Sequence, residues 1–138
     1  MNLLSNYSYY DIAMNDFKYL QFAIEMKDKD FYNRNAILCE QVVEKLLKHI
    51  VQNFCFKEDY TGLLKGHNLV KLYKAIVDEE IEIKISKNML RTLKDYYFDA
   101  NYPGDNFILV DEDELNEAYE FTKEVVEKVF KFLDNKKN

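Results

Sequence analysis

The residues able to do chemistry are few and scattered. Two histidines, His49 and His67, sit in no H-x-x-x-H or H-E-x-x-H arrangement that would put two ligands on one helix face, so no metal site is expected. His49 closes the helical run EKLLKH and reads as a partly exposed helix residue. His67, in GHNL, precedes a helix start and is expected to steady the loop there; proton transfer is the alternative, because imidazoles titrate near neutrality. Carboxylates are plentiful, but the runs Asp78–Glu80 and Asp111–Glu114 read as solvated connectors and helix starts. A catalytic carboxylate pair needs a cleft that drives its two pKa values apart. No G-x-x-x-x-G-K-[ST] phosphate loop and no G-x-S-x-G elbow occurs. Tyr96, Tyr97, Phe98 and Tyr102 could stack nucleobases at about 1–3 kcal/mol per base, although core packing is the default. Tyr96 and Tyr97 cannot point the same way on a helix, so at least one of them reaches a surface.

Helices must position these groups. Three glycines and one proline leave too few turns for an all-β fold. From Tyr9 to about Lys27, Ile12, Ala13, Phe17, Leu20, Ala23 and Ile24 recur at spacings of three and four, with Ser8 and Asp11 as a capping pair. Arg34 to Phe54 carries the strongest stripe, Ala36, Cys39, Val43, Leu46, Leu47, Ile50 and Phe54, and Ile37, Leu38, Val42 and Val51 widen it beyond one neighbour. The second helix is therefore central. Lys57 to His67, with Gly62 and Gly66, reads as a loop. Asn68 caps a short third helix with Leu69, Leu72, Tyr73, Ile76 and Val77 inward, ending near Asp78. Ile81, Ile83 and Ile85 alternate without a partner strand, which predicts an extended connector. Ser86 caps a fourth helix with Met89 or Leu90, Leu93, Tyr96 and Tyr97, and Asn101 to Asn106 form a compact turn around Pro103 and Gly104. Asp111 and Glu114 start a final helix burying Leu115, Ala118, Thr122, Val125, Val126, Val129 and Phe130, with Lys123, Lys128 and Lys131 toward its C-terminal half. The expectation is an all-α, up-and-down four-helix-type bundle of five helices, one of them short, forming a single domain over residues 1–138.

Nineteen basic against 25 acidic residues give a net charge of −6, which disfavours nonspecific attraction to phosphate backbones. Cys39 and Cys55 lack metal or redox spacing and read as reduced core thiols of a cytoplasmic protein. The first residues lack a cationic leader, and no run reaches the roughly 18 apolar residues of a membrane helix, so neither export nor membrane insertion is expected.

Taken in order, YYDIAMNDFKYLQFA, NRNAILCEQVVEKLLKHIV, GHNLVKLYKAI and YYFDANYPGDNF with the long last helix resemble the HEPN domain family. Q-x-x-E-K-x-L-K, then H-N-L, then Y-x-x-A-x-Y-P carry the resemblance jointly. It implies a helical bundle, usually a homodimer, that binds nucleotides or RNA and often pairs with a small nucleotidyltransferase as a toxin and antitoxin. Many relatives are metal-independent ribonucleases in which arginine holds the scissile phosphate and a histidine about four to six residues later moves the proton.

That pair is missing here. The two arginines are Arg34 and Arg91, and the histidine windows hold Cys39, Glu40 and Gln41 or Tyr96, Tyr97 and Phe98. Asn101 also stands where many relatives carry arginine before Tyr-Pro. Arg91, Lys45, Lys48 and His49 remain as candidate phosphate contacts, with surface solvation the default role for each. The favoured expectation is a dimeric binding module with a cleft near the Asn101–Asp105 turn, where Tyr102 stacks, Asp105 and Asn106 orient hydroxyls, and Arg91 and Lys48 meet phosphate. No residue is assigned a catalytic role and no cofactor is expected. The rivals are a divergent ribonuclease using His67 or His49 and a purely structural interaction protein.

Overall fold

The computed structural model describes residues 8–137 and is all-helical over them. Helix α1 spans Tyr9–Glu25, α2 Tyr32–Phe54, α3 Thr61–Lys65, α4 Leu69–Asp78, α5 Lys87–Asp99 and α6 Glu112–Lys136, with a 3-10 turn at Lys29–Phe31 leading into α2. Local chemistry explains most boundaries. Ser8 and Asp11 form a complete capping box, as do Asp111 and Glu114, while Asn68 and Ser86 each accept the amide three residues on. At the end of α4, Glu80 adopts φ 60° where glycine is usual, and the Ile81 and Glu80 amides return to Ile76 and Val77 as in a Schellman close.

Because its apolar surface wraps most of its girth, α2 is the axis of the bundle. It packs on α1, α4, α5 and α6, and Leu46, Leu47 and Ile50 are fully buried. Cys39 and Cys55 are buried free thiols. Ile83 and Ile85 are buried in the extended connector, whose Ile83 carbonyl accepts from the Tyr73 hydroxyl and whose Ile85 amide donates to the same oxygen. Among the described residues there is no strand, and no helix is long and apolar enough to cross a membrane.

Several expectations need correction. The 57–67 segment is not all loop: it contains the one-turn α3, and the segment from Phe56 to Tyr60 is tied down by Glu79, whose carboxylate accepts from the Phe56 and Lys57 amides and the Tyr60 hydroxyl. Glu79 is thus a staple, not a solvated connector residue, and these hydrogen bonds hold its carboxyl below the usual range against the opposing effect of burial, which is the largest single influence. Ile12, Val77 and Phe130, expected inward, are exposed, because each stripe is wider than the neighbour that covers it.

Asn33, near the start of α2, holds the turn expected to carry the site. Its amide nitrogen donates to the carbonyls of Ala100 (3.1 Å) and Ile108 (2.9 Å), and its oxygen accepts from the Val110 amide (2.8 Å). Both ends of the 100–110 segment therefore close onto one side chain. Asn33→Ala leaves three backbone groups without these partners and is expected to cost about 2–3 kcal/mol in urea unfolding. Hydrogen exchange over 100–110 should accelerate with it. A cost below about 0.5 kcal/mol with unchanged exchange would remove Asn33 from this role.

Candidate functional site

Helical spacing puts Glu40, Glu44 and Lys48 on one face of α2, each four residues from the next, and all three are buried. The Lys48 ammonium lies 3.1 Å from a Glu44 oxygen, with both side chains 7% exposed. The same carboxylate meets His67 Nδ1, at 3.0 and 3.2 Å from its two oxygens. A carboxylate only accepts, so Nδ1 carries the proton and donates it to Glu44, leaving Nε2 uncommitted. The His67 ring is 43% exposed and stacks on Tyr97 at 4.6 Å between centroids and 20° between planes. Tyr97 in turn meets Phe98 edge to face at 5.0 Å.

The electrostatics are uneven. Both Glu40 oxygens are buried without a hydrogen-bond partner. Burial first, then the neighbouring Glu44, push its carboxyl up to about 10, against the opposing pull of Lys48 and Lys45. Glu40 is therefore a neutral acid at pH 7 beside the doubly partnered Glu44. The Tyr97 phenol is raised by burial, then by Tyr102, Glu44 and Glu40, which places these groups in one electrostatic neighbourhood.

Outside this network the turn is open to solvent. Tyr102, Pro103, Gly104, Asp105 and Asn106 are exposed, Asn101 is half-buried, and Gly104 adopts φ 154°, where a side chain would be strained. With Phe98 and Phe107 also exposed, the edge is an aromatic ledge. The concavities described in the surface lie elsewhere. One of about 590 Å³ is lined by Phe54, Glu79, Ile81 and Phe132, and another of about 420 Å³ by Tyr10, His49, Phe54 and Phe130. None of those described is lined by residues 97–106.

The structure unites some of the expected residues and separates others. His67 joins Tyr97. Lys48, expected as a phosphate contact, is instead buried against Glu44 with Tyr9 over its ammonium at 6.0 Å, so its charge is already matched. Lys45 is paired with Asp16 of α1. Arg91 is exposed on α5, bonded to Asn88, which keeps it a solvent-facing cation. His49 packs on Tyr10 and contacts Asn53, away from His67. Its imidazole is pushed down by burial, against the raising effect of Asp11. The residues missed from sequence are Glu44 and Tyr97 as partners of His67, and Glu40 as the buried acid beside Glu44. The signal was present: acidic residues at 40 and 44 on a helix apolar nearly all round must be paired or neutral. Among the described residues, no three His, Cys, Asp or Glu side chains come together as a metal site.

The family model for the HEPN domain matches residues 7–135, nearly the whole chain. The chain belongs to the HEPN domain family, and at that level it is a nucleotide- or RNA-related helical module. No curated protein and no solved structure matches it.

Proposed function

We propose that this HEPN protein binds a nucleotide or single-stranded RNA on the ledge formed by His67, Tyr97, Phe98 and Tyr102. The supporting observation is the Glu44-held His67 ring stacked on Tyr97, with exposed aromatic faces beside it. Planar rings fixed in place lose little entropy when a base stacks on them. Tyr102 stacks, Asn101, Asp105 and Asn106 meet ribose hydroxyls, and Arg91 meets phosphate. Lys48 acts indirectly, by holding Glu44. Cleavage is disfavoured because no histidine follows Arg34 or Arg91 at the spacing the ribonuclease relatives use, and Lys48 is already paired with Glu44. The working assembly of this reading is a cytoplasmic homodimer paired with a small nucleotidyltransferase, as relatives are.

Isothermal titration with ATP and with short RNAs should give measurable heat. Tyr102→Ala should weaken binding about 5- to 100-fold, the equivalent of about 1–3 kcal/mol. Absence of heat from well-folded wild-type protein would sink the reading. One observation favours a second: His67 Nε2 is uncommitted and its ring is oriented, which suits acid–base work. Cleavage of labelled RNA in EDTA that disappears in His67→Ala would establish that ribonuclease instead.

A further inference from the structure

Helix α1 has two apolar faces. Ala13, Phe17, Leu20 and Ala23 are buried toward the bundle. About 200° around from Phe17 and Leu20, Tyr19 and Phe22 are each 66% exposed, and Met26 one turn on is 65% exposed. With Ile12 at 40% and Asn15, these positions step by three and four residues, 12, 15, 19, 22 and 26. That is the seam of a helix meeting another helix, and it runs about 21 Å. A surface helix with no partner on this side would carry polar residues there.

We propose that the outer face of α1 is the seam on which two copies of this chain associate, α1 packing antiparallel on α1 of the second copy. The charges specify the occupant. Lys18 and Glu25 are exposed, flank the seam on the same side immediately before Tyr19 and Met26, and have no ion-pair partner among the described residues. An antiparallel pairing centred between Tyr19 and Phe22 brings Lys18 of each copy to Glu25 of the other, twice by symmetry. The same register stacks Tyr19 of each copy on Phe22 of the other. A parallel pairing sets each charge level with its own duplicate, and neither finds its opposite. A single helix pair lies at the small end of the roughly 1,200–2,000 Å² that stable interfaces bury, so association falls in the micromolar range. The seam gives the homodimer of the proposed function a surface, and it stands or falls separately from the ledge.

Sedimentation equilibrium over a roughly hundredfold concentration range tests it. Wild type is expected to move from monomer to dimer. Phe22→Glu should weaken association at least about tenfold while the circular dichroism and the ligand titration stay as in wild type, because Phe22 is exposed and not part of the ledge. Lys18→Glu and Glu25→Lys should each weaken association, and the two together should restore it. Tyr102→Ala should leave association unchanged, which keeps a failed ledge distinct from a failed seam. A wild-type protein monomeric throughout, or a Phe22→Glu protein that still dimerises, overturns the proposal. Failure of the double charge exchange to restore association overturns the antiparallel register.

Discussion

Replacing Glu44 by alanine is expected to destabilise the protein by about 3 kcal/mol in urea unfolding at pH 7, the largest loss among the single substitutions considered. Two buried or half-buried groups lean on this carboxylate, Lys48 at 3.1 Å and His67 at 3.0 Å. Removing it leaves an ammonium in a low-dielectric site with only a distant aromatic face, and an uncompensated buried charge costs more than the pair itself contributes. The pair can be separated from the penalty. Glu44→Gln combined with Lys48→Met should recover much of the loss, and the double-mutant cycle should show coupling of 1 kcal/mol or more, roughly. Release of His67 is a second readout. Its ring protons should lose the shift that stacking on Tyr97 imposes in the NMR spectrum. A cost under about 1 kcal/mol with the stack intact would mean that Lys48 reaches solvent and that Glu44 does not order the ledge.

Glu40→Gln is expected to act in the opposite direction, raising stability at alkaline pH. Glu40 has both oxygens buried and unpartnered, and its folded-state carboxyl titrates at about 10 against an ordinary value of 4.5. Between these values the folded chain holds a proton that the unfolded chain has released. Stability due to this group is complete below about pH 4.5 and declines as pH climbs toward 10, by at most about 1.4 kcal/mol per unit. The amide variant has no proton to lose. At pH 8 it should be more stable than wild type by at least about 2 kcal/mol, with a Tm about 6–10 °C higher, and at pH 4 the two should nearly coincide. Thermal unfolding at pH 4, 6 and 8 reads the difference. Equal pH slopes for the two proteins would show that Glu40 ionises freely in the folded state. A stabilising change at a buried acid is also what a functional site predicts, since a protein retains such a cost only where a structural or chemical role demands it.

Much of the local structure was legible. The caps at Ser8, Asn68, Ser86 and Asp111 are short-range devices: a side-chain oxygen and the amide it meets are three residues apart, so their spacing is visible in the chain. The breadth of the α2 stripe likewise announced a helix with several neighbours. Helix α3 escaped because a single turn containing Gly62 leaves almost no periodicity. Ile12 and Phe130 were misplaced for a different reason. Periodicity tells which residues share a face, but not how much of that face a neighbour covers, and at both positions the stripe is wider than its cover.

The family and the helical class follow from residue order and period alone, because helices form from contacts a few residues apart. The candidate site does not. His67 lies 23 residues from Glu44 along the chain, and Asn33 lies 67 residues from Ala100, yet each pair is in hydrogen-bond contact. Those encounters depend on how α2, α4 and α5 settle around a shared core, and an acid on α2 can be a solvated charge, a partner or a proton store according to what arrives beside it. Packing alone made Glu44 the holder of His67, buried Lys48 away from any phosphate, and left Glu40 a neutral acid.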